Sequence, residues 1–331
     1  MPARFIVIAR KRNDRGNPIW CSVLDCFVAL LLAMTIMPAA AHAEKLRVVA
    51  SFSILGDMVH EVAGGNVELK TLVGPDGDAH VYEPSPADAK AIVSANLVVV
   101  NGLGFEGWLS RLIASSGYAG PVAVASSGIE ALAFKGERLT QDPHAWQSLA
   151  NGEIYVANVR DALIDADHTH ADEYRANAAR YLKRLAALEG WVRAEIATVP
   201  ESRRKVITSH DAFQYFTRAY GVQFIAPLGV STESEASAAD IARLIDQIRA
   251  QKVQAVFMEN ITDGRLIRQL ESDGGAYVGG TLYSDALSPP DGPAPTYIAM
   301  FRHNVTQLVE GMEHNAPRRV WGGYRCRPAP A

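Results

Sequence analysis

From Leu46 onward the sequence alternates short runs rich in β-branched residues with longer stretches of helical periodicity, in two series that one nearly breaker-free segment separates. In the first series Leu46 to Ser53, Val67 to Val73, Leu97 to Asn101 and Val122 to Ala125 read as strands, each beside a plausible helix. The second series carries strands at Val206 to Ser209, Val222 to Pro227, Val253 to Glu259 and Tyr277 to Leu282. Its helices are expected near Asp211 to Tyr220, Ala238 to Gln251 and Gly264 to Glu271, with a last one about Thr296 to Met312. Strands that alternate with helices build parallel sheets covered by helical layers. Two similar α/β lobes follow.

The separating segment, Ala171 to Val199, places Tyr174, Ala178, Tyr181, Leu185, Leu188 and Val192 at alternating spacings of four and three, on one face of a long helix. About 28 residues rising 1.5 Å each would span roughly 42 Å. Such a rod joins the lobes rigidly and leaves no loose hinge. Gly190 is its weak point, costing about 1 kcal/mol relative to alanine. An ordinary core helix within one domain is the competing reading. The organisation expected is an N-terminal lobe over 44–170, a linking helix over 171–199, a C-terminal lobe over 200–316 and a flexible, Pro-rich tail over 317–331.

Residues 1–43 read differently. Arg4, Arg10, Lys11, Arg12 and Arg15 precede an apolar run from about Val23 to Met37, and the small residues up to Ala43 offer an A-x-A cleavage site. That order marks a secretory signal peptide, and the apolar run is short for a membrane anchor. Cleavage after Ala43 removes five basic and two acidic side chains from a chain of net charge −4, which leaves −7. Cys21 and Cys26 leave with the signal, so only Cys326 stays and no intramolecular disulfide can form. Neither early cysteine sits in a lipoprotein-like setting beside the cleavage site. A freely soluble, monomeric, periplasmic protein is expected. Its acidic charge and ordinary composition, 48% hydrophobic and 21% charged, point away from nucleic acid and from disorder.

Three histidines stand in loop settings spread over both series. His80 lies in Asp78-Ala79-His80-Val81-Tyr82-Glu83-Pro84-Ser85, after a strand and before a helix that Ser85 can cap. His144 lies in Asp142-Pro143-His144-Ala145-Trp146, ahead of a helix that opens near Asn151, and His210 joins the strand from Val206 to the helix at Asp211. Asp285 follows the strand that ends at Leu282. In open α/β sheets ligands bind beyond the carboxyl ends of the strands, which is where at least three of these four positions fall. Three neutral imidazoles and one carboxylate would complete a zinc tetrahedron. Spacing alone cannot join four residues so far apart, and each histidine by itself is more often a surface or capping residue.

The strings around His80 and His144, with Ser209-His210-Asp211-Ala212-Phe213-Gln214-Tyr215-Phe216 and Tyr283-Ser284-Asp285-Ala286-Leu287-Ser288, resemble the successive ligand segments of the cluster A-I zinc and manganese solute-binding proteins of ABC importers. Gly292-Pro293-Ala294-Pro295-Thr296-Tyr297 and Val256-Phe257-Met258-Glu259-Asn260 are similar to that family too. The resemblance implies two Rossmann-like lobes with parallel sheets, joined by one long rigid helix, and one metal at their interface. It implies His80, His144, His210 and Asp285 as the metal ligands. Manganese-type members carry glutamate at the third position and zinc-type members histidine, so His210 implies Zn2+. An ABC permease in the inner membrane is the implied partner, with a periplasmic zinc chaperone as a second candidate.

Two departures from the family pattern stand out. Leu132 to Gln141 is short and lacks histidine where many zinc-type members have a long His- and Asp-rich loop, and Ala236 follows Glu235 where proline is usual. Asp165-Ala166-Asp167-His168-Thr169-His170 gathers further ligand-type side chains. A solvated cap leading into the long helix is the expected role, and a weak auxiliary zinc site at Asp167, His168 and His170 is the alternative. Glu83 and Glu259 are candidates to accept hydrogen bonds from imidazoles and so fix their tautomers. His60 and His303 read as structural and His314 as exposed. The chain has no H-E-x-x-H, G-x-S-x-G or P-loop segment, and four protein ligands would leave no open position for a reacting water. No enzyme is expected; the rival functions are a manganese-specific binding protein and a periplasmic zinc chaperone or buffer that never meets a permease.

Overall fold

The computed structural model describes residues 44–134, 140–227, 255–262 and 277–315, with isolated positions between 229 and 272. The expected signal peptide, the tail from 317, most of the helices expected over 238–251 and 264–271, and the departure at Glu235 and Ala236 lie outside the described residues.

Two four-stranded parallel sheets organise the chain. Strands β1 (Leu46–Phe52), β2 (Val67–Val73), β3 (Leu97–Val100) and β4 (Val122–Val124) lie in the order β2-β1-β3-β4. Strands β5 (Lys205–Ile207), β6 (Gln223–Ile225), β7 (Ala255–Glu259) and β8 (Tyr277–Leu282) repeat that order as β6-β5-β7-β8. Central β1 buries every residue from Val48 to Phe52, the continuous apolar run of a strand covered on both faces, whereas edge strand β2 exposes Glu68 and buries Val67, Leu72 and Val73. In each sheet the chain turns one way from its first strand and then doubles back, so β1/β3 and β5/β7 are switch points where ligand-binding loops gather.

Seven helices are described in full: α1 (Ser53–Ala63), α2 (Pro86–Ser94), α3 (Leu109–Ser116), α4 (Leu149–Ala166), α5 (Ala171–Thr198), α6 (Gln214–Tyr220) and α7 (Tyr297–Glu313). The long helix α5 has 28 residues and buries the six side chains expected from their spacing, with Ile196 extending the stripe. It packs against α1 and α4 beside the first sheet and against α7, which in turn covers β8 of the second. One hydrophobic cluster consequently runs from Val48 to Met312 through both lobes, and a second, smaller one of Ile207, Val253, Val256 and Ile267 lies within the second lobe. The linking helix is a shared core wall along its length.

The second lobe departs from expectation around residue 210. Strand β5 ends at Ile207 and α6 begins at Gln214, so His210 sits in a loop of its own. The cause is local: the Glu259 carboxylate, at the end of β7, takes the amide hydrogens of Ser209 and His210 that would otherwise extend strand or helix.

Candidate metal centre

Loops beyond the carboxyl ends of both sheets converge on His80, His144, His210 and Asp285. Each offers one ligand atom, these atoms lie within 4.8 Å of one another, and all four residues are buried; no other such group occurs among the described residues. His80 Nε2 stands 3.3 Å from His144 Nε2 and 3.2 Å from Asp285 Oδ2. His210 Nε2 is 3.1 Å from Asp285 Oδ2, and His144 Nε2 is 3.5 Å from Asp285 Oδ1. Asp285 Oδ1 is buried without a hydrogen bond. A cation among the four atoms would give it a partner.

Each ligand-type side chain is aimed by its own loop. The amide of His80 donates to Asp78 Oδ1 at 2.8 Å, and Thr232 donates to Asp78 Oδ2 at 2.6 Å. The same loop closes on Ser85, which caps α2 reciprocally with Asp88. His144 donates both its amide and its Nδ1 hydrogen to Asp142 Oδ1, at 2.9 and 2.8 Å. His210 Nδ1 lies 2.7 Å from Glu259 Oε2, although the contact is bent away from hydrogen-bond geometry. Asp285 follows Ser284, whose carbonyl accepts from Trp146 Nε1 at 2.9 Å and Gln147 Nε2 at 2.7 Å across the lobe boundary. Phe105 walls the site, its ring centroid 4.8 Å from that of His80 and 5.9 Å from that of His144.

Charge couples these groups. Burial would raise the Asp285 pKa, but His144 and His210 outweigh it and hold the carboxyl well below the usual range. Burial would lower His144, yet Asp285 and Asp142 push it up to about 9. His210 rises in the same way against burial, driven by Glu259 and Asp285. For His80 burial prevails and the pKa falls. The buried carboxylates therefore favour positive charge at His144 and His210.

The structure brings together all four residues singled out in the sequence. Of the two candidate imidazole partners, Glu259 does meet His210, whereas Glu83 is exposed and makes no such contact. The carboxylate at His144 is instead Asp142, a residue not among the expected acceptors. The available signal was the Asp-x-His spacing, which Asp78 and His80 repeat. Asp167, His168 and His170 do not assemble as a ligand set: Asp167 caps the turn over His168–His170, taking hydrogens from the Thr169 amide, His170 Nδ1 and the Tyr174 hydroxyl. His303 donates to Thr281 O at 2.9 Å, and exposed His314 stacks on Tyr277. The ends of the short 132–141 loop are closed by an antiparallel bridge between Ala133 and Gln141.

The chain is similar to known metal-binding proteins. The model of the family described as "ZnuA: Zinc-uptake complex component A periplasmic" matches residues 48–311. The manganese-binding lipoprotein MntA of Halalkalibacterium halodurans is 34% identical over 296 residues, 87% of this chain and 98% of its own. The iron-binding protein YfeA of Yersinia pestis is 32% identical over 271 residues, 81% of this chain and 87% of its own. The solved structure of the periplasmic zinc-binding protein TroA from Treponema pallidum superposes with a TM-score of 0.78 at 30% identity, covering 81% of this chain and 99% of that one.

Proposed function

The chain belongs to the family of the periplasmic component A of zinc-uptake complexes, and from that footing we propose that it captures Zn2+ between its lobes and delivers it to the permease of an ABC importer. The family is one of extracytoplasmic, metal-binding components of such importers, which work with a permease and an ATPase. The observation that carries zinc is the donor set: three buried imidazole nitrogens and one carboxylate suit a four-coordinate ion of borderline softness. His80, His144, His210 and Asp285 are its ligands in this reading. Residues 1–43 are a signal peptide removed after Ala43, and the mature periplasmic chain acts as a monomer with lobes over 44–170 and 200–316.

Manganese or iron is the second reading, favoured by what the relatives from Halalkalibacterium halodurans and Yersinia pestis are named for. Against it stands His210, since the manganese-type members that the sequence resembles carry glutamate there. Zinc outranks manganese at most nitrogen and oxygen sites, so the deciding quantity is how the ratio of the two affinities responds to residue 210. In competition against a chromophoric chelator, His210→Glu should weaken zinc and narrow its lead over manganese at least tenfold, and His210→Ala should weaken zinc further. Wild-type zinc affinity in both variants would remove His210 from the site. Elemental analysis of chelated and reloaded wild-type protein should return close to one zinc per chain; none would end the metal reading.

A further inference from the structure

Asp142 is 1% exposed, and among the described residues both hydrogen bonds that its side chain accepts come from one residue, the amide and Nδ1 of His144 on the same oxygen, Oδ1. Its other oxygen, Oδ2, is buried with no hydrogen-bond partner. A neutral amide could accept the same two hydrogens without the cost of burying a charge. Nor does the loop need the carboxylate to hold its path. The Asp142 amide donates to Leu132 O at 2.8 Å, the Tyr215 hydroxyl donates to Asp142 O at 3.0 Å, and Asn101 Nδ2 donates to Pro143 O at 3.0 Å. What lies on the far side of the His144 ring is the ligand cluster. A carboxylate on Nδ1 keeps the proton there, turns the Nε2 lone pair toward the cluster and makes that nitrogen a stronger donor. The turn at Asp78 and His80 shares the side-chain-to-amide bond but sends its second oxygen to the Thr232 hydroxyl, so the two Asp-x-His turns differ in what the carboxylate governs.

We propose that Asp142 is a positioning residue of the metal centre, orienting His144 through Nδ1 so that Nε2 meets the incoming ion preset, and lending that nitrogen its charge. The proposal rests on the four-ligand zinc site above. Asp142→Asn keeps the acceptor and drops the charge, whereas Asp142→Ala removes both. In 15N-labelled protein the His144 Nδ1 hydrogen should give a downfield, slowly exchanging resonance, identified by its loss in His144→Ala. It should persist in Asp142→Asn and vanish in Asp142→Ala. Zinc affinity from chelator competition should fall roughly ten- to a hundredfold in Asp142→Ala and severalfold in Asp142→Asn. Should Asp142→Ala misfold, seen as a collapsed amide spectrum, the asparagine variant carries the test alone. A wild-type chain without the resonance, or an asparagine variant with wild-type zinc affinity, overturns the proposal while leaving the zinc site standing. A wild-type chain that shows the resonance but binds no zinc overturns the site itself, and this role with it.

Discussion

At the proposed metal centre protons and metal would compete for the same nitrogens. Three unperturbed histidines would lose zinc only through about pH 6 to 5, which is what the sequence alone leads one to expect. The structure moves that window upward, because Asp285 and Asp142 overcome burial to push His144 to about 9 and Glu259 with Asp285 raise His210 likewise. Below the raised value zinc must displace a proton from His144, so apparent affinity should climb at least tenfold per pH unit from 7 toward 9. Chelator competition across that range measures it; a flat affinity from pH 7 upward would show that the buried carboxylates do not hold protons on these rings. The four residues that the loops gather were legible in the sequence through the family strings. Their partners were legible only in part. Glu259 meets His210 and Asp142 meets His144, while Glu83, the other candidate acceptor, is exposed. Which way a side chain leaves an irregular loop has no periodicity to betray it.

Helices were easier to read than the ends of strands, because an amphipathic stripe records its partners in its spacing. The α5 stripe from Tyr174 to Val192 was visible for that reason, and its burial against α1, α4 and α7 follows. Strand β5 and helix α6 were expected to meet at His210, and they do not, since a carboxylate fifty residues away captures the intervening amides. Two helical glycines separate propensity from packing. A Cβ on Gly190 of α5 would meet nothing within 4 Å. Gly190→Ala should therefore stabilise the protein by about 0.5–1 kcal/mol, the entropy that glycine gives up in a helix. At Gly152 of α4 a Cβ would come within 2.6 Å of the hydroxyl of Tyr297, the first residue of α7, and that hydroxyl is already committed to Trp146 O. Gly152→Ala should cost about 1–3 kcal/mol by overpacking that contact. Urea unfolding of the two variants decides the matter, and equal effects would mean that α4 and α7 do not approach as closely as described.

At the scale of the whole molecule, two lobes with separate sheets could unfold separately, and the expectation of a rigid connecting rod does not forbid it. The packing does. Helix α5 lends one apolar face to α1, α4 and α7, the hydrophobic cluster is continuous through both lobes, and hydrogen bonds cross the boundary at Leu287 N to Ser53 Oγ, Asp76 N to Leu287 O and Trp146 Nε1 to Ser284 O. Metal-free protein should consequently melt in one calorimetric transition whose van't Hoff and calorimetric enthalpies agree. On the proposed site, with two ligands from each side of that boundary, zinc would bind only when both lobes are folded and would add RT ln(1 + [L]/Kd), about 4 kcal/mol at a thousandfold excess over Kd. For a chain of this size that corresponds to a rise in Tm of roughly 10 °C. His80→Ala and His210→Ala, which remove one ligand from each lobe, should both shrink the rise while leaving a single metal-free transition. Two resolved transitions in the metal-free wild type would separate the lobes energetically. A zinc-induced rise confined to one of them would place the metal within a lobe and not between the two.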